Sequence, residues 1–112
     1  MRQILSRLAL AAFFIGFSTL VLPAETRAQG EASKVFKTNC VLCHAANGSG
    51  DSPAGKAMSA KDLRSAEVQK ESDADLTATI TKGRGKMPAF GQKLSPDVIT
   101  SLAAYIRQLP KK

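Results

Sequence analysis

Apolar residues recur at helical spacing most clearly near the carboxyl end of the chain. Between Pro96 and Pro110 they fall every three or four positions, which is the spacing of one helix face. Ser95 is a favoured N-cap residue, Pro96 suits the first helical position, and Pro110 cannot continue a helix. The pattern therefore predicts a helix over residues 96–109. Its apolar face consists of Val98, Ile99, Leu102, Ala103, Ile106 and Leu109.

An earlier segment, residues 31–40, predicts a shorter helix with one apolar face. That face consists of Ala32, Val35 and Phe36. The stretch 45–59 is rich in Gly, Ser, Asn, Asp and Pro, and this composition indicates a surface loop. Residues 61–71 are ambiguous, with a helical turn around Leu63 and Val68 as one interpretation.

A third helix is predicted to begin after Ser72. Asp75 stands three residues further on, which resembles a capping box, and the apolar Leu76 and Ile80 follow at helical spacing. Gly83 is the expected end of this helix, and a Gly- and Pro-containing loop over residues 83–91 comes after it. No segment shows convincing strand alternation, so the pattern predicts an all-α fold.

The amino-terminal end has the organisation of a secretory signal. Basic residues precede an apolar run over residues 8–22, and Pro23 interrupts the pattern. Thr26 and Ala28 place small residues at the positions that a signal peptidase recognises, so cleavage is expected after Ala28. An uncleaved membrane anchor is the alternative, but the run is shorter than the ~20 apolar residues that a spanning helix needs. Residues 1–28 are thus expected to be a signal peptide and residues 29–112 one domain, without membrane attachment after cleavage.

A domain of 84 residues can barely fill its own core, and such domains usually need a disulfide, a metal or a cofactor. The segment 29–112 has three aromatic residues, Phe36, Phe90 and Tyr105, and no Trp. It has 13 basic and 8 acidic residues, for a net charge of +5. This modest excess suits a basic docking face. It is weak evidence for nucleic-acid binding, because no aromatic-basic stripe accompanies it.

The motif with a chemical meaning is Cys40-Val41-Leu42-Cys43-His44, the attachment sequence of a c-type haem. Two thiols at this spacing can reach the two vinyl groups on one edge of a porphyrin, and the next imidazole is then placed at the iron. Three other interpretations compete. A disulfide is possible in an exported protein, a thioredoxin-like pair would follow a strand, and zinc would need a fourth ligand. The export signal, the helical pattern and the thin core favour the haem.

His44 is the only histidine, so this chain cannot supply a bis-histidine haem. A methionine thioether is the natural sixth ligand, and it raises the reduction potential relative to other axial choices. Met1 is expected to leave with the signal, which leaves Met58 and Met87. Met87 lies 43 residues after the histidine in a loop stiffened by Pro88, long enough for the chain to reach the opposite face of the haem. Met58 lies only 14 residues on and can be core filler. We expect Met87 to be the ligand.

The export signal, a Phe four residues before Cys40, the single CxxCH and the Met-Pro-Ala-Phe-Gly loop together resemble a class I c-type cytochrome. The resemblance is to the small soluble electron carriers of bacteria and photosynthetic organisms, and it covers most of residues 30–109. It implies three to four short helices wrapped around one covalently bound haem c. Cys40 and Cys43 would be the haem-attachment residues, and His44 and Met87 the iron ligands.

The resemblance also implies two structural contacts. The first is a close crossing of the first and last helices, at which Ala32 and Phe36 would meet Leu102 and Tyr105. The second is a backbone carbonyl in the loop after CxxCH that fixes the proximal imidazole. Pro53 is the candidate for that carbonyl, because the family commonly uses a Pro there.

The function expected from these features is single-electron transfer in the bacterial periplasm, by a monomer without enzymatic activity. Its partners would be redox proteins, donor and acceptor, that the sequence does not identify. Two alternatives stay open. One is a haem-containing sensor, which needs an open iron site, and the other is a subunit or domain serving a periplasmic dehydrogenase or oxidase.

Overall fold

The computed structural model describes Val21 and residues 23–112. The first twenty residues and Leu22, which contain the basic start and most of the apolar run of the predicted signal, lie outside the described residues. The described part contains six helices and one isolated bridge, between Arg84 and Met87, in place of any strand. In chain order the helices are α1 (Ala24–Asn39), α2 (Val41–His44), α3 (Pro53–Met58), α4 (Ala66–Gln69), α5 (Asp73–Lys82) and α6 (Pro96–Gln108). The all-helical prediction is confirmed, although α2, α3 and α4 are short additions to the three helices that the pattern predicted.

Helix α1 begins seven residues earlier than its apolar pattern indicated. Its first turns, residues 24–31, are exposed apart from the half-buried Ala28, and Ala32 is the first residue that lies in the core. The periodicity detects only the part of the helix that packs, since exposed turns carry no apolar stripe. At the other end, Cys40 separates α1 from α2, with its N–H bonded to the Phe36 carbonyl oxygen at 2.9 Å.

The crossing of α1 and α6 forms the centre of the core. Ala32 is fully buried, and Phe36 and Leu102 are each 1% exposed. The rings of Phe36 and Tyr105 lie 5.2 Å apart with a tilt of 48°, a favourable geometry for two aromatic rings. The expected contact between the first and last helices is therefore confirmed. Along α6, every residue of the predicted apolar face except the half-buried Val98 is buried.

The caps predicted from the sequence are present. The Ser95 hydroxyl accepts from the Val98 N–H at the start of α6. Ser72 and Asp75 form a complete capping box at the start of α5, in which each side chain accepts a bond from the other residue's backbone N–H. Gly83, with a φ of 75°, ends α5.

The prediction of a surface loop over residues 45–59 is wrong in part, because this stretch includes helix α3. Ser52 caps this helix by accepting from the Gly55 N–H at 3.0 Å, and Pro53 occupies the first turn. Gly55 is buried, and a Cβ at this position would lie 2.1 Å from the Cys43 carbonyl oxygen. The glycine in this stretch thus serves close backbone packing against α2, and composition alone does not distinguish that from a flexible loop.

The ambiguous segment before α5 contains the short helix α4, capped by Ser65, with Val68 buried. Gln69 at its end donates to the carbonyl oxygens of Leu63 at 2.7 Å and Ile106 at 3.2 Å. Arg107 of α6 donates to the Gln69 carbonyl oxygen at 2.9 Å. These bonds attach the segment to α6, so its position depends on contacts distant in sequence. Among the described residues, no helix combines the length and the apolar character required to cross a membrane.

Candidate functional site

Helix α2 gathers the residues of the CxxCH motif on one turn. The N–H groups of Cys43 and His44 both bond the Cys40 carbonyl oxygen, at 3.2 and 2.8 Å. Cys40, Cys43 and His44 are half-buried, and the two thiols are not joined in a disulfide. Leu42, between the two cysteines, is 75% exposed. The turn therefore directs the three reactive side chains inward and leaves an apolar side chain on the surface.

The motif borders a cavity of about 500 Å³ that opens to the surface beside Leu42 and Met58. Its wall is mostly apolar and is built from α1, α2, α5, α6 and the segments between them. The buried residues that contribute include Phe36, Leu63, Val68, Leu76, Ile80 and Phe90. The volume lies within the range of small-molecule and cofactor sites, ~300–1,000 Å³. The sequence predicted too few large side chains to fill the core, and the structure has a cavity where that volume is missing.

His44 is oriented by a backbone carbonyl, as expected, but the residue is Lys61 and not Pro53. Nδ1 of His44 lies 3.1 Å from the Lys61 carbonyl oxygen. Because a carbonyl oxygen only accepts, Nδ1 carries the proton and Nε2 keeps its lone pair for a metal. Burial lowers the pKa of His44, and the bond to Lys61 opposes that shift only in part. The imidazole is thus held neutral, which is the form that binds iron. Pro53 instead opens helix α3.

The Lys61 carbonyl is placed by close packing between two parts of the chain after the motif. Gly50, at φ +72°, lies so close to Ala60 and Lys61 that a Cβ would meet their carbonyl oxygens at 2.6 and 3.0 Å. The Gly50 N–H bonds the His44 carbonyl oxygen at 2.9 Å, and the Leu63 N–H bonds the Gly48 carbonyl oxygen at 2.8 Å. In the sequence, Gly48 and Gly50 indicate that two backbone segments can approach closely here. Their spacing does not show that the Lys61 carbonyl is the one placed against His44.

Met87 lines the same cavity and is half-buried against the core. Its loop folds back on α5 through two backbone bonds, from Phe90 N–H to the Ile80 carbonyl oxygen at 2.9 Å and from Gly91 N–H to the Thr81 carbonyl oxygen at 3.0 Å. Met58 also reaches the cavity, at the end of α3, but it is 49% exposed. The structure therefore brings Cys40, Cys43, His44 and Met87 to one space.

Charged side chains border the cavity, and most of them are paired. Lys61 bonds Glu67 at 2.8 Å, and Arg84 bonds Glu71 at 3.1 Å. Lys86 donates to the Ala57 carbonyl oxygen at 3.3 Å, so it connects the Met87 loop to α3. The exposed Leu42 and Met58 lie among the residues that line the cavity with these groups.

The site does not suit the chemistry of the competing interpretations. Burial and the nearby Cys43 raise the pKa of Cys40 to about 11. A thiol that is so hard to ionise at neutral pH is unlike the activated thiolate of a thioredoxin-like couple. Within residues 23–112, no group of three or more His, Cys, Asp and Glu side chains is arranged to hold a metal ion.

An apolar cavity of this size, with two unpaired thiols and a neutral imidazole on one turn, fits a porphyrin attached through thioethers. The residues present therefore fit a haem c site. One polar group on its wall was missed by the sequence analysis. The hydroxyl of Thr79 is buried without a hydrogen-bond partner. Nothing in the sequence distinguishes Thr79 in this respect from the other threonines of α5.

Several known proteins resemble this chain in sequence and in structure. The family model described as cytochrome c oxidase, cbb3-type, subunit III matches residues 27–106. Cytochrome c6 of Gloeothece citriformis is 37% identical over 117 aligned residues, which cover the whole chain and 98% of that relative. The FixP subunit of the cbb3-type oxidase of Azorhizobium caulinodans is 37% identical over 78% of the chain, but the match spans only 29% of FixP.

The structural comparison agrees. The c-type cytochrome KustC0563 aligns with a TM-score of 0.66 and 29% identity, over 72% of this chain and 98% of that protein. The chain belongs to the class I mono-haem c-type cytochromes. It is a haem c electron carrier rather than an enzyme, with redox proteins as partners.

Proposed function

We propose that the protein carries single electrons in the periplasm with one haem c, held by His44 and Met87 as axial ligands. The observation that supports this most strongly is the shared cavity. Cys40, Cys43, His44 and Met87 come from two segments more than forty residues apart, and all four line one apolar space.

Each residue has a separate role in this proposal. Cys40 and Cys43 would hold the haem through two thioethers, and Nε2 of His44 and the sulfur of Met87 would be the ligands of its iron. The haem, when bound, supplies an iron that accepts and releases one electron. The Lys61 carbonyl holds the imidazole in one orientation, with Nε2 free to bind the iron. The apolar wall excludes water, and the thioether of Met87 favours the ferrous form.

Electron exchange is proposed to occur where Leu42 and Met58 reach the surface beside the cavity. Lys61, Arg84 and Lys86 border this area with positive charge, although Lys61 and Arg84 are partly neutralised by their carboxylate partners. An apolar contact surrounded by basic residues fits a partner whose docking surface is acidic.

We expect the rate of electron exchange with an acidic redox partner to fall as salt is added. Charges farther apart than a Debye length of ~10 Å at 0.1 M are screened, so electrostatic steering weakens. Stopped-flow mixing of the reduced protein with the oxidised partner across ionic strength measures this rate. A flat or rising curve would contradict the basic docking face and would favour contact through Leu42 and Met58 alone.

Export with cleavage after Ala28 is the second part of the proposal. Residues 24–27 of α1 are exposed and Ala28 is only half-buried, so their removal disturbs no buried core residue. We expect the intact mass of the protein recovered from a bacterial periplasm to equal residues 29–112 plus one haem. A mass that includes residues 1–28 would contradict cleavage and would favour the membrane-anchor alternative.

Service as a subunit or domain of an oxidase is a second candidate, favoured by the match to the cbb3-type family and to FixP. A free carrier is expected to elute from periplasm at the size of a monomer, whereas an oxidase subunit would elute in a larger complex.

A haem sensor is the other alternative. It would bind carbon monoxide at once in the ferrous state, because it needs an open iron position. Ligation of the iron by Met87 predicts slow or negligible binding of carbon monoxide.

A further inference from the structure

Met87, the proposed iron ligand, is the last residue of a tight turn that begins at Arg84. The Arg84 N–H donates to the Met87 carbonyl oxygen at 3.2 Å, and the Met87 N–H donates to the Arg84 carbonyl oxygen at 3.0 Å. Gly85, the second residue of the turn, has a φ of 57°, a conformation that glycine adopts readily. Because the two backbones are bonded in both directions, a movement of Met87 out of the cavity moves Arg84 or breaks these bonds.

The side chain of Arg84 connects this turn to a different part of the chain. Its Nη1 donates to Oε1 of Glu71 at 3.1 Å. Both side chains line the cavity. Among the described residues of the cavity wall, Glu71 is the only one that carries a carboxylate. The turn that carries Met87 is therefore joined to the connection between α4 and α5 by an ion pair at the edge of the proposed haem site.

Glu71 is itself held in place by helix α6. Arg107 donates from Nη2 to the Glu71 carbonyl oxygen and from Nη1 to the Gln69 carbonyl oxygen, the latter at 2.9 Å. The same guanidinium donates to the Asp73 carboxylate at 2.9 and 3.0 Å. The side chain of Glu71 is 25% exposed and that of Arg84 is 60% exposed. The carboxylate is thus the fixed member of the pair, and the arginine is the member that moves with the turn.

The two sides of Met87 are restrained in different ways. The residues after it are joined to α5 by the two backbone bonds described above, which do not depend on side chains. The turn before it has two side-chain contacts with other segments, from Arg84 to Glu71 and from Lys86 to the Ala57 carbonyl oxygen at 3.3 Å. Only the first of these two contacts joins opposite charges, and it is also the shorter. The ion pair is therefore the stronger side-chain restraint on the turn.

We propose that Glu71 and Arg84 are positioning residues, whose ion pair limits how often Met87 leaves the iron. This inference rests on the axial role of Met87 proposed above. Another ligand can replace the methionine only in an open state, in which the turn has moved away from the cavity. The ion pair breaks in that state, so its removal raises the open fraction.

Glu71→Gln removes the charge of the carboxylate and keeps the size of the side chain. At low imidazole concentration, where the rate is proportional to the open fraction, we expect the ferric holoprotein to bind imidazole about twofold to fivefold faster. That is the range expected for a partly exposed ion pair. Arg84→Gln should have the same effect, and Arg84→Lys, which keeps the charge, should recover most of the wild-type rate. The double variant Glu71→Gln/Arg84→Gln should bind no faster than either single variant, because all three lose one interaction.

The rate is measured by stopped-flow mixing with imidazole and is recorded from the loss of the weak ferric Fe–S absorption. Glu67→Gln is the matched control. Glu67 forms the other ion pair at the cavity, with Lys61 at 2.8 Å, and the Lys61 carbonyl contacts His44 instead of the Met87 turn. This control should leave the rate unchanged. An unchanged rate in Glu71→Gln, or an equal increase in Glu67→Gln, would overturn the proposal.

Two further outcomes would also contradict it, for different reasons. If Arg84→Gln accelerated binding and Glu71→Gln did not, Arg84 would act through another group, such as a haem propionate, and the role of the ion pair would be wrong. A wild-type ferric protein without the Fe–S absorption would overturn ligation by Met87 itself, and this proposal with it. The spectrum of the unmutated protein thus distinguishes the failure of the proposed function from the failure of the role of the ion pair alone.

Discussion

Met87→Ala is expected to abolish the weak red absorption of the ferric protein, to lower the reduction potential, and to open the iron to added ligands. The direction follows from ligand chemistry. A thioether favours ferrous iron, whereas water or a stronger donor in its place favours ferric iron. Met87 is half-buried on the cavity wall, so its truncation also leaves space that a small molecule can enter. Optical titration with imidazole or cyanide, together with the measured potential, tests all three effects.

Met58→Ala is the matched control, because Met58 is the other methionine that reaches the cavity. At 49% exposure its truncation should cost well under the ~2–5 kcal/mol of a fully buried methionine, with the red absorption retained. If Met58→Ala lost the absorption and Met87→Ala kept it, the ligand would have been assigned to the wrong loop.

A protein made without haem attachment is expected to be largely unfolded. The cavity of about 500 Å³ reaches the surface beside the exposed Leu42 and Met58, so without the haem water would enter it and its apolar wall would lose its packing partner. A domain of this size has little other core to compensate for that loss. The double variant Cys40→Ala/Cys43→Ala, prepared free of haem, should therefore show little helical circular dichroism and no cooperative melting transition.

The matching test on the wild-type protein is extraction with acidified acetone. The haem should remain with the polypeptide, because thioether bonds survive this treatment. A haem-free form that is helical and melts cooperatively would contradict the structural role of the haem, and release of the haem would contradict covalent attachment.

Helices are predicted correctly from the sequence where a capping signal and an apolar face that packs in the core occur in the same segment. Helix α6 has a cap, a proline at its first position and a continuous apolar face, and α5 has a complete capping box. The CxxCH motif and Met87 were identified from chemistry and spacing, and the structure places all four side chains on one cavity.

The features that were missed depend on contacts between distant segments. Helix α3 was mistaken for loop, because Gly55 looks flexible in the sequence although it is buried against the Cys43 carbonyl. The carbonyl that orients His44 belongs to Lys61, seventeen residues away, and any residue type can supply a backbone oxygen. The start of α1 was placed too late, since residues 24–31 lie outside the core and have no apolar stripe.

We propose that one covalent haem, ligated by His44 and Met87, cycles between two oxidation states by one electron. A redox titration of the purified wild-type holoprotein, followed optically, is the decisive measurement. We expect a single one-electron transition, a sharp reduced α-band, and a red Fe–S absorption in the ferric form that disappears at the same potential. A high-spin ferric spectrum without that absorption, or a transition that does not fit one electron, would contradict the account.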